Sequence, residues 1–119
     1  MPKAEKKRPL RTISILLAGL CLPTTASADA SGASMGYVIG VQPVAPGGLF
    51  FRQTGSRSTK PSCATIDRWV INVSTPDGQT MAATLLMAYS LHKRISITGT
   101  GTCTTWGDTE TVLYFNVED

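Results

Sequence analysis

Cys63 and Cys103 enclose the one segment of this chain that reads as a helix, so a bond between them would staple a strand, a helix and a second strand into one unit. Whether they pair depends on where the chain folds. The N-terminus carries Lys3, Lys6, Lys7, Arg8 and Arg11, then the apolar run "ISILLAGLCL", then "PTTASADA". That order is the pattern of a secretory signal peptide, with Ala26-Ser27-Ala28 as the cleavage site and Asp29 as the mature start. The apolar run falls well short of the roughly 20 residues a membrane-spanning helix needs. Leu20 occupies the position before Cys21 where lipidation requires a small residue. The expectation is a periplasmic or secreted protein with no membrane span.

Loss of the signal removes Cys21 and leaves Cys63 and Cys103 as the cysteines of an exported chain, where a disulfide is the simplest outcome. Free thiols or metal ligands are the competing reading. The loop so closed holds about 40 residues, which the chain-entropy model credits with roughly 4 kcal/mol. The formal charge of the whole chain is +3, but the cations are concentrated in the signal; six basic and seven acidic residues remain after it. A nucleic-acid partner therefore loses its electrostatic support.

Residues 29–35, "DASGASM", read as a flexible leader, and a single domain is expected over 36–119. "YVIGVQPV" and "LFFRQT" form a β-hairpin around the turn "APGG", and "GSRSTKPS" has the composition of an exposed loop. "DRWVINV" alternates as a half-buried strand. From Asp77 to His92 the chain is rich in helix formers, with Thr75 as N-cap, Pro76 at the first position, and Lys93 with Arg94 at the negative end. "ISIT" and "TVLYFNV" complete the order β-β-β-α-β-β, in five or six strands. The helix is apolar around most of its circumference, more than one small sheet can cover. Met81, Leu85, Met87, Ala88 and Leu91 are thus candidates for a subunit interface, against the alternative of a helix buried in a monomer.

The stretch "GTGTCTTWGDTETV" has the glycines of a phosphate loop but leads into a strand, so no helix N-terminus can receive an anion. His92 is the only histidine and both mature cysteines are committed, which leaves neither a metal cluster nor a nucleophile–base pair to assemble. The chain is expected to be no enzyme and to hold no cofactor or metal. Trp106, Asp108, Thr109 and Glu110 remain as candidate ligand-binding residues, an aromatic face beside polar groups. The alternative for Trp106 is packing against the disulfide.

The run from Cys63 to Val112, with its Cys…Arg-Trp-Val…helix…Gly-Thr-Gly-Thr-Cys…Trp-Gly-Asp-Thr-Glu-Thr pattern, resembles a group of small exported bacterial proteins. In element order it is more distantly similar to the B subunits of subtilase-cytotoxin-like toxins, which are pentameric and bind glycans. That resemblance implies an OB-fold-like small β-barrel, mainly β with one helix. It also implies a homo-oligomer, a pentameric ring around a helix-lined pore, with a glycan or a protein as ligand. It carries over no glycan-contact residue. The alternative function is a small envelope protein with a structural or inhibitory role.

Overall fold

The computed structural model describes residues 31–119 and, ahead of them, Gly19 alone; apart from that glycine the expected signal peptide, with its cleavage site, lies outside the described residues. Five strands and one helix follow in the order β1 (Gly32–Val44), β2 (Gly48–Gln53), β3 (Trp69–Asn72), α1 (Pro76–Ser90), β4 (Arg94–Gly99) and β5 (Glu110–Glu118). The strands close into a barrel in the order β1-β2-β3-β5-β4. All neighbours are antiparallel except β3 and β5, which pair in parallel through Trp69 with Glu110 and Val70 with Thr111. This is the OB-fold-like barrel with one helix, mainly β.

Closure depends on β1, which serves two neighbours in succession. Its first half pairs with β4 and its second half with β2, and a bulge interrupts the register in each half. Bulges bend a strand and raise its twist, which lets one strand turn the corner of a small barrel. Residues 31–35 therefore do not form the expected leader. Ser31 is buried, Gly32 pairs with Thr98 and Ala33 with Ile97, so the domain already begins here. The small side chains that suggested a leader serve close packing instead. A Cβ on Gly36 would lie 2.1 Å from the Gly55 nitrogen, and one on Gly55 would lie 2.1 Å from the Ser34 oxygen. The two glycines thus let β1 and the chain after β2 meet backbone to backbone.

The barrel interior holds Val38, Leu49, Phe51, Trp69, Ile71, Ile95, Ile97 and Val112. Helix α1 covers one end, lying against β1 and β3. Thr75 caps it as the sequence predicts, its Oγ1 accepting from the Gly78 amide at 3.1 Å. The far end differs from the expectation. The helix stops at Ser90, His92 turns out of it with φ 51°, and the last turn holds no basic residue. Lys93 instead pairs with the Asp119 carboxylate at 2.6 Å, and Arg94 donates to the Asp119 backbone oxygen at 3.1 Å. Both cations thus tie β4 to the end of β5. Among the described residues no helix is long and apolar enough to cross a membrane.

Candidate functional site

The alternation of β2 and β3 decides what lies inside and what lies outside. Leu49, Phe51, Trp69 and Ile71 belong to the barrel core, whereas Phe50 and its partner Val70 are buried on the other side. What covers them is the loop between β4 and β5. Trp106 meets Phe50 edge to face, with centroids 5.0 Å apart and planes at 85°. The Arg68 guanidinium lies 3.7 Å above the same ring. The disulfide Cys63–Cys103, with Cα atoms 6.2 Å apart, ties this loop to the segment leading into β3.

The four residues expected to form a binding surface are thereby separated in role. Trp106 is half-buried on Phe50. Asp108 pairs with Arg68 at 3.1 Å and accepts from the Thr109 hydroxyl at 2.7 Å. The Thr109 hydrogen bond is the largest influence on the Asp108 carboxyl; desolvation opposes it, and the hydrogen bond and charge of Arg68 add to the lowering, so the carboxyl lies below its ordinary value of 3.8. A depressed carboxyl favours the folded state above the unfolded value and loses that contribution as pH falls through the folded one, so this pair persists into acid below the usual aspartate range. Thr109 and Glu110, expected at the surface, are fully buried. They cannot touch a ligand directly because β5 starts beneath the loop, in register with Trp69.

Glu110 instead anchors a polar cluster at the barrel's edge. It accepts from Arg57 Nη2 at 2.7 Å, from the Gly101 amide at 2.9 Å and from the Ser31 hydroxyl. Arg57, read as an exposed loop cation, folds back with its guanidinium 4.0 Å from the Trp69 ring and only 11% of its side chain exposed. Its Nη1 reaches the Arg68 carbonyl at 3.3 Å and Asp67 at 3.4 Å. Arg57 Nε is buried and makes no hydrogen bond among the described residues.

Beside Arg57 opens a cavity of about 200 Å³, walled by Ile39, Arg52, Gln53, Asp67 and Trp69. Gln53 follows the inward parity of Leu49 and Phe51. Its amide nitrogen donates to the carbonyls of Ser34, at 2.6 Å, and of Ile95. Both amide hydrogens are then used and Oε1 is left buried without a donor. A second cavity of about 220 Å³ adjoins, walled by Gly40, Gln42, Phe50, Phe51, Arg52 and Arg68. Arg52 lines both. None of Gln53, Arg57, Arg52 or Asp67 was singled out by the sequence. The one signal available was a glutamine at an inward position of the apolar strand "LFFRQ".

The interface candidates divide in the same way. Leu85 and Ala88 are 0% exposed, part of the monomer's own core, and Met81 packs partly against it; the sheet covers more of the helix than expected. Met87 and Leu91 stand free at 51% and 61% exposure, accompanied by the exposed Leu86 and Tyr89. His92 stacks on Tyr37 with ring centroids 4.1 Å apart. Among the described residues no group of three or more His, Cys, Asp or Glu side chains is placed to hold a metal ion. No protein-family model, curated protein or solved structure matches this chain, so the reading of the site rests on its own geometry.

Proposed function

We propose that the chain is an exported, non-enzymatic binding module that takes a sugar in the cavity between Gln53, Arg57 and Asp67. The observation that carries this reading is the pairing of an unsatisfied buried acceptor, Gln53 Oε1, with an unsatisfied buried donor, Arg57 Nε, on residues of one cavity. Leaving such groups unpaired costs about 1–3 kcal/mol each, so a small shift of either side chain toward the cavity would let it gain a ligand hydroxyl as partner. Asp67, 84% exposed at the rim, offers a carboxylate to further hydroxyls, and Ile39 offers an apolar wall to the C–H face of a ring. The cavity is smaller than the roughly 300–1,000 Å³ of drug-sized sites, which suits one ring and its substituents. The resemblance to glycan-binding toxin B subunits points the same way.

On an array of neutral and acidic glycans the mature protein is expected to retain a defined subset, and Asp67→Asn to weaken that retention about tenfold, as the loss of a charge-assisted hydrogen bond does. Retention that ignores Asp67→Asn moves the site elsewhere. If no glycan is retained, the alternative of a small structural or inhibitory envelope protein, whose ligand is another protein, takes its place.

The same reading includes assembly of several copies, in a ring of up to five, through the exposed end of α1. Leu86, Met87, Tyr89 and Leu91 are its exposed apolar residues, and exposed apolar surface beyond single scattered side chains marks interaction sites. Light scattering of the mature chain at tens of micromolar is expected to give a multiple of the monomer mass, and Met87→Glu with Leu91→Glu to return it to one copy. A wild-type monomer under those conditions refutes assembly.

A further inference from the structure

We infer that the sugar site extends into the second cavity and that its ligand is an acidic oligosaccharide of at least two residues, with its negative group held by Arg52. The inference rests on the sugar-binding reading and adds the length and charge of the ligand. Three observations carry it. First, the two cavities share a wall: Arg52, at an outward position of β2, lines both. Phe50 and Arg52 are two residues apart, about 7 Å along a strand, a distance that two linked sugar rings span.

Second, the charges on this surface are not equally available. Arg68 is spent on Asp108 and Thr109, and Arg57 is shared by Glu110 and Asp67. Arg52 is exposed and makes no ion pair among the described residues, so the uncompensated cation stands at the junction of the cavities. Asp67, sharing its guanidinium with a second carboxylate, is the complementary group at the other rim. A ligand with hydroxyls toward Asp67 and a carboxylate, sulfate or phosphate toward Arg52 satisfies both ends, and a guanidinium fork suits such an anion.

Third, the second cavity exists because β1 bulges beside it. Ile39 pairs with Arg52 and Gln42 with Phe50, which leaves one extra residue on β1. Gly40 takes φ +58° there, with nothing within 4 Å of where a Cβ would stand. Bulges of this type re-aim side chains next to binding sites. Here the bulge sets Gln42, an exposed donor and acceptor, above the Phe50 and Arg68 floor.

The test is the glycan array at a series of protein concentrations, read with wild type, Arg52→Gln and Gln42→Trp. Both residues are exposed, so neither change disturbs the core. Wild type is expected to bind acidic oligosaccharides at least tenfold more tightly than acidic monosaccharides or neutral oligosaccharides. Arg52→Gln should remove about tenfold from acidic glycans alone, and Gln42→Trp, which fills the second cavity, should bring oligosaccharides down to the monosaccharide level. Glycans retained without regard to charge, or acidic monosaccharides bound as tightly as longer chains, or Gln42→Trp without effect, each overturns the inference while the sugar-binding reading stands. Retention of no glycan overturns both.

Discussion

Glu110→Ala is expected to lower the stability of the domain by about 3–5 kcal/mol, the cost typical of removing one partner from a buried ion pair. The carboxylate is fully buried and receives three donors, from Arg57, Ser31 and the Gly101 amide. Its loss leaves a guanidinium almost wholly covered by protein and facing no carboxylate except the distant Asp67 contact at 3.4 Å. For a domain of this size each kcal/mol moves the melting point by roughly 4–8 °C, so calorimetry should register a drop of about 12 °C or more. Combining Glu110→Ala with Arg57→Ala should cost clearly less than the two separate losses together, because the second change removes the charge that the first had stranded. Additive losses, or a drop below about 1 kcal/mol for Glu110→Ala alone, would show that the pair is not the anchor described here.

Replacing both Cys63 and Cys103 by Ser is the second large effect, about 4 kcal/mol on the loop-closure model and within the roughly 2–5 kcal/mol lost when small secreted domains give up a native disulfide. The bond joins the loop that covers Phe50 to the segment entering β3, so its removal frees that loop as well as the unfolded chain. Urea unfolding of the double variant against the oxidised wild type measures the loss. Mass spectrometry with and without reductant should find no alkylatable thiol among these two cysteines before reduction. A variant with an unchanged midpoint would mean that the loop is held by Trp106 and the Arg68–Asp108 pair alone.

The order of elements was legible because each strand announces itself by alternation and the helix by its cap. Thr75, Pro76 and Asp77 fit a helix start as well as a turn between strands, and the helix formers from Met81 to Ala88 decide between them; two mature cysteines leave one pairing. What was not legible depends on the barrel being closed. "SGASM" carries no apolar alternation, and only the approach of β4 on one side and residues 54–56 on the other turns it into a strand. Glu110 resembles a solvated carboxylate on "TETVLYF" until the loop from β4 folds over it. Arg57 sits in a stretch whose composition is that of a surface loop, and its contact with Trp69 is set by the turn after Gln53 rather than by any local pattern. Leu85 and Met87 cannot be told apart by hydrophobicity. Their burial differs because the helix lies across β1 and β3 at one particular rotation.

The closed ring has a consequence for how the chain reaches this structure. The contact that joins Ser31 to Glu110 spans 79 positions, and β1 must find β4 across the whole middle of the domain. Barrels built from such distant pairings fold in milliseconds to seconds, because chain entropy is lost before the contacts that repay it are made. Helix α1, whose hydrogen bonds are local, can form before the ring does. Once Cys63 and Cys103 are joined, the covalent path from β3 to β5 runs through the sulfur bridge and is only a few residues long at each end. The parallel pairing of Trp69 with Glu110 then becomes a short-range event, so the oxidised chain should refold faster than the reduced one as well as more stably.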